Sequence, residues 1–146
     1  FLYIHELNFI FVIDFERTDM SNIISTKEAP VAIGPYSQAK WAGNTLFISG
    51  QIPLEPFSME MVYGVELATH QVMKNLEAIL REAGLSFSNV VKTTIFLKDM
   101  EDFMEVNKVY SSYFPEESYP ARETIEVARL PKDAELEISM IAYKSL

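Results

Sequence analysis

The sequence predicts an α+β domain in which two helices cover one face of a β-sheet, and three observations predict it. Helical spacing of apolar residues occurs twice, over residues 65–83 and again from Phe103 to Phe114. Each of these stretches lies between short runs rich in β-branched and aromatic residues. The chain then closes on two consecutive alternating runs, residues 122–130 and 135–143. With 146 residues and no internal repeat, low-complexity tract or long linker, a single domain is expected.

Residues 1–19 stand apart from this pattern. Their apolar run, residues 9–13, is far too short to cross a bilayer. His5, Glu6, Asn8 and Asp14 interrupt what a secretory signal would keep apolar, and the acids are foreign to an organelle transit peptide. The segment is expected to be a leader or N-terminal extension outside the fold, with Met20 the natural first residue. Residues 20–146 then form the domain, and a cytoplasmic location is expected.

The first strand is expected over residues 45–49, stopping at Gly50, and Pro53 and Pro56 then force a loop. Val65, Ala68, Val72, Leu76, Ile79, Leu80 and Ala83 fall on one face of a helix, and Gly84 sits where a C-terminal cap belongs. Residues 90–98 read as the next strand. Asp99 is a plausible N-cap for the second helix, with Phe103, Val106, Tyr110 and Phe114 on its apolar face. Pro115 and Pro120 end that helix and return the chain to extended form. In the last strand Leu136, Ile138, Met140 and Ala142 alternate with Glu137 and Ser139. The helices should therefore cover the apolar side, leaving Arg122, Thr124, Glu137 and Ser139 together on the other. That second face is either wet or buried against another subunit.

Composition narrows the chemistry. Against 12 Lys and Arg stand 21 Asp and Glu, a net charge of −9. Residues 1–19 hold four of the acids and one of the bases, so −6 remains without them. Such a surface repels phosphate backbones, and no basic run offsets it, so nucleic-acid binding is disfavoured. The absence of cysteine excludes disulfides, thiolate metal sites and a thiol nucleophile. Two histidines, His5 and His70, are too few for a histidine-rich metal centre. Any chemistry runs on hydroxyl, carboxylate, amide and guanidinium groups.

Several strings are recognisable: Ile33-Gly34-Pro35-Tyr36-Ser37-Gln38-Ala39, Phe47-Ile48-Ser49-Gly50-Gln51-Ile52-Pro53, Lys98-Asp99-Met100 with Asp102-Phe103, and Pro120-Ala121-Arg122 through Val127-Ala128-Arg129-Leu130-Pro131-Lys132-Asp133-Ala134 to Glu137-Ile138. In order and spacing they resemble the YjgF/RidA family of reactive intermediate deaminases, over essentially all of residues 20–146. The resemblance implies a chorismate-mutase-like fold with a mixed β-sheet, assembled as a homotrimer with sites in the clefts between subunits. It also implies hydrolysis of enamine and imine intermediates, such as 2-aminoacrylate, released by pyridoxal-phosphate dehydratases. The products are a 2-keto acid and ammonia, and neither cofactor nor metal is implied.

The candidate site residues follow. Arg122 offers a rigid fork of donors that matches a carboxylate bidentately; its structural alternative is a surface pair with Glu126 or Glu137. The resemblance makes Glu137 the acid that positions or deprotonates the attacking water; the alternative is an ion pair with Arg122 or Arg129. Tyr36, Ser49, Gly50 and Asn107 are expected to shape the pocket, with structural roles as the alternative. Many relatives carry cysteine where this chain has Thr124. The resemblance assigns substrate contact there to the main-chain N–H and C=O, which threonine keeps. The loop over residues 55–60 lacks the Thr-Gly turn usual in the family, and the first helix enters about one residue short of the usual pattern. Three other functions compete: a trimeric module that binds small 2-keto acids without turnover, a stabilising or chaperone-like trimer, and a ribonuclease or translation inhibitor. Acidity and the lack of a histidine pair oppose the last.

Overall fold

The computed structural model describes residues 22–145. The expected leader, residues 1–19, and the start of the domain at Met20 lie outside the described residues. Eight elements follow in order: β1 (Ile23–Ile24), β2 (Ala39–Ala42), β3 (Thr45–Gln51), α1 (Val65–Glu82), β4 (Val90–Leu97), α2 (Phe103–Ser111), β5 (Ala121–Glu126) and β6 (Leu136–Tyr143). The strands form one mixed sheet in the order β1-β2-β3-β6-β4-β5. Only β4 and β5 run parallel, joined by a crossover that contains α2. No helix among the described residues is long and apolar enough to cross a membrane.

Both helices lie on one side of the sheet, as expected. Val72, Leu76 and Ile79 of α1 are fully buried against Leu46, Ile138 and Met140, and α2 adds Val106 and Tyr110 to the same core. Gly84 adopts φ +71° directly after the helix, where a side chain would be strained, which explains a glycine at that stop. Asp99 caps the entry to the second helix by accepting from the Glu101 N–H, but it opens a 3₁₀ turn, Met100–Asp102, that runs into α2. Burial of this face at about 25 cal/mol per Å² is the dominant favourable term.

Three features differ from expectation. Two short strands extend the sheet edge: β2 pairs with β3, and β1 pairs in turn with β2. Strand β3 runs through Gly50 to Gln51, because a β-bulge carries the chain past it: Ile48 faces Met140, yet Gln51 faces Ile138. Strand β5 ends at Glu126 rather than at residue 130, because β4 itself ends at Leu97, whose carbonyl takes its last bond from Val127 N–H at 2.9 Å.

The fourth difference concerns the site directly. Arg122 and Thr124 do not share a face with Glu137 and Ser139. Register places Thr93 beside both Met140 and Arg122, and Ile95 beside both Ile138 and Thr124. Arg122 and Thr124 therefore point to the helix-covered side, while Glu137 and Ser139 lie on the open side. That open side also carries Phe47, Phe96, Ile125, Ile141 and Tyr143; Ile125 is 44% exposed.

Candidate active site

All the candidate residues except Thr124 line two cavities, one on each side of the sheet. The first, about 550 Å³, lies between α2 and β5 and is lined by Asn107, Lys108, Tyr110, Tyr119 and Arg122 among others. Asn107 sits on α2 at the margin of its apolar stripe, and its side-chain oxygen accepts from Arg122 Nη1. The guanidinium carbon lies over two α2 rings, 5.6 Å from the centre of Phe103 and 5.2 Å from that of Tyr110. Tyr110 is buried, and its hydroxyl is 3.1 Å from Thr93 Oγ1. Burial raises its pKa, against the opposing effects of the Thr93 bond and the Arg122 charge, so the phenol is neutral.

Thr124 stands two residues beyond Arg122 on the edge strand. Its Oγ1 is buried without a hydrogen-bond partner. Its main chain is placed differently. Val127 N–H points at β4, and main-chain groups alternate sides along a strand. The N–H and C=O of Thr124 thus face the free edge of β5, open to a ligand or a neighbouring molecule.

The second cavity, about 560 Å³, is lined by Tyr36, Ser49, Gly50, Lys132 and Glu137, with an apolar wall that includes Ile33, Ile52 and Leu54. Tyr36 is 50% exposed and is aimed by a tight turn in which its N–H donates to the Gly34 carbonyl at 2.9 Å. Ser49 donates its hydroxyl to the Ser37 carbonyl at 2.6 Å, which ties the bulge to the Tyr36 loop and leaves the oxygen lone pairs as acceptors. Glu137 forms no ion pair and no hydrogen bond among the described residues. Its pKa is raised by burial alone. Both structural alternatives for it are therefore absent within the chain. Arg122 lies across the sheet, and Arg129 is engaged by Asp133 through bonds of 2.7 and 3.1 Å.

Gly50 is required by this arrangement. A Cβ on Gly50 would lie 2.9 Å from Glu137 Cγ and 2.7 Å from Cδ, and would overlap the carboxylate. Gly50→Ala is expected to turn the carboxylate out of the cavity. An ångström-scale displacement of this kind reduces a positioned reaction by about 10²-fold. The φ of Gly50 is not in the left-handed region, so the chain should remain folded. Turnover measured beside a thermal melt checks this, and wild-type turnover in a folded Gly50→Ala variant would refute it.

Lys108 and Lys132 are cavity residues that sequence reasoning did not single out. Lys132 lies inside the recognised Leu130-Pro131-Lys132-Asp133 string, and its left-handed backbone, φ 54°, turns it into the cavity wall. Lys108 carries no such signal; it follows Asn107 on a solvated stretch of α2.

Comparison with known proteins decides the lineage. Residues 26–144 match the family described as Endoribonuclease L-PSP. The chain belongs to the YjgF/RidA family. Among YjgF/RidA proteins it is 54% identical over 126 residues to a RutC family protein of Pyrococcus horikoshii, covering 86% of this chain and 99% of that one. It is 46% identical over 127 residues to the 2-iminobutanoate/2-iminopropanoate deaminase of Escherichia coli, covering 86% and 99%. The structure of Escherichia coli TdcF with bound serine superposes with a TM-score of 0.81 at 44% identity, covering 84% of this chain and 98% of that chain. The fold is thus the mixed α+β fold of YjgF/RidA structures.

Proposed function

We propose that the chain is a 2-iminobutanoate/2-iminopropanoate deaminase whose active site forms between copies of a homotrimer. The observation that carries this reading is the separation of Arg122 from Glu137. A cation with open donors and a carboxylate without a partner line two cavities on opposite sides of one sheet. No single chain presents both to one small substrate, whereas symmetric copies bring the two half-sites together. The apolar residues of the open face supply a surface for such copies to cover. The likeness to the Escherichia coli deaminase supports the activity, and the serine on TdcF supports an amino-acid-sized ligand.

Arg122 clamps the carboxylate of 2-iminopropanoate or 2-iminobutanoate, formed from the enamine by tautomerisation. The main-chain groups of Thr124 on the β5 edge help hold the nitrogen and the attacking water. Glu137 orients or deprotonates that water, while Tyr36, Ser49, Gly50 and Asn107 shape the pocket. Water adds across the C=N bond to give a carbinolamine, which collapses to the 2-keto acid and ammonia. Such imines already hydrolyse in water, so positioning supplies much of the acceleration. The enzyme acts beside the dehydratases that release its substrates, in the cytoplasm. Ribonuclease chemistry is disfavoured: His70, the one histidine in the described region, shares a 2.8 Å hydrogen bond with the Tyr113 hydroxyl.

The test is release of 2-keto acid from enamine generated in situ by a serine or threonine dehydratase, followed against pH. Acceleration by the purified protein is expected. Its acid limb should lie above the pH of 4.5 that an ordinary glutamate would give, because burial raises the Glu137 pKa and only the ionised form accepts a proton from water. Activity is thus lost as pH falls through that raised value. No acceleration, with 2-oxobutanoate still bound, would make the chain a binding module for 2-keto acids.

A further inference from the structure

We infer that Tyr110 and Thr93 are positioning residues for Arg122, forming with Phe103 an aromatic clamp that holds the guanidinium ready for a carboxylate. The inference deepens the proposed deaminase reading and rests on it for the role of Arg122. A free arginine side chain loses considerable rotamer freedom when it binds a ligand. Here much of that ordering is already present. One nitrogen donates to Asn107, and the guanidinium carbon lies over two rings within 6 Å.

The choice of partners matters. An aspartate or glutamate would hold the arginine firmly but would occupy its N–H fork. Aromatic faces attract the cation through the ring quadrupole and accept little of that hydrogen-bonding capacity, so most of the five donors stay open. No carboxylate pairs with Arg122 among the described residues, although the chain is rich in acids.

Thr93 completes the device. It is fully buried, and register places it directly beside Arg122 on the neighbouring parallel strand. One tyrosine therefore spans both, with its hydroxyl on Thr93 and its ring against the guanidinium. Phe114 also packs on the tyrosine, 4.7 Å between ring centres. A buried hydroxyl on a strand needs some partner. What identifies this pair as positioning is that it fixes the one ring shared with the arginine.

Tyr110→Phe, Tyr110→Leu and Thr93→Val test the inference, with two readouts: turnover of in-situ imine, and calorimetric affinity for 2-oxobutanoate. Tyr110→Leu removes the ring face and is expected to raise KM and the Kd for 2-oxobutanoate by about tenfold, with kcat changed less than about threefold. Tyr110→Phe keeps the ring but frees it from Thr93, and is expected to raise both constants by about threefold. Thr93→Val should resemble Tyr110→Phe, because both leave the ring and remove the anchor. A purely structural role would lower the melting temperature in all three while leaving KM and Kd unchanged in the folded protein, and that result would overturn the inference. Absence of turnover in the wild type would overturn the deaminase reading instead. The 2-oxobutanoate affinities would still decide the clamp.

Discussion

Arg122→Ala is expected to lower kcat/KM for imine hydrolysis by about 10²-fold or more. Two parallel charge-assisted bonds to the substrate carboxylate are lost, and bonds of this class each contribute about 1.5–3 kcal/mol. The structure makes the loss clean. Arg122 makes no ion pair, its guanidinium rests on Asn107 and on ring faces, and it lies beside a cavity rather than within the packed core. Truncation should therefore cost little stability, and the variant should melt close to the wild type. Arg122→Lys keeps the charge but not the fork, and should fall between the two, about tenfold below wild type. Release of 2-keto acid at matched protein concentration measures all three. A folded Arg122→Ala variant that accelerates release as well as wild type would remove the arginine from substrate binding while leaving the activity intact.

The sequence carried the helices well, for local reasons. The spacing from Val65 to Ala83 and the glycine at position 84 are signals that tertiary contacts reinforce. The strands β1 and β2 escaped because their signal is not local. Ala39–Ala42 contains two alanines, a lysine and a tryptophan, and it is a strand only because β3 pairs with it. Gly50 reads as a strand stop, and only the pairing with β6 reveals a bulge that lets the strand continue.

The face of Arg122 failed in a more instructive way. Period two assigns residues within a strand to alternate sides, but the phase between strands is set by register, which a sequence does not display. On the edge strand β5 the usual reading is inverted. The polar Arg122 and Thr124 turn towards α2, while Ile125 faces outward on the open side. The candidate site residues were therefore legible as a list, through the recognised motifs. Their division between two sides of the sheet was not.

That division makes the strongest prediction available. Arg122→Ala and Glu137→Gln are each expected to be nearly inactive, the latter through loss of a positioned acid–base group that contributes about 10²-fold or more. Within one chain the two residues lie on opposite sides of the sheet, so complementary copies should repair each other. If each site takes Arg122 from one protomer and Glu137 from its neighbour, random co-assembly of the two variants leaves about one site in four with both groups native. Co-expressed and co-purified variants should thus recover about a quarter of wild-type turnover, whereas the same proteins mixed without subunit exchange should recover none. Native mass spectrometry would establish that mixed trimers are present. Mixed trimers without activity would place both groups of each working site in one protomer, an arrangement that the separation of the two cavities opposes. Recovery, in contrast, requires the substrate to bridge two copies. A half-buried carboxylate without a cation and a guanidinium without a carboxylate then have a shared reason: each is completed only when the neighbouring copy and the imino acid are in place.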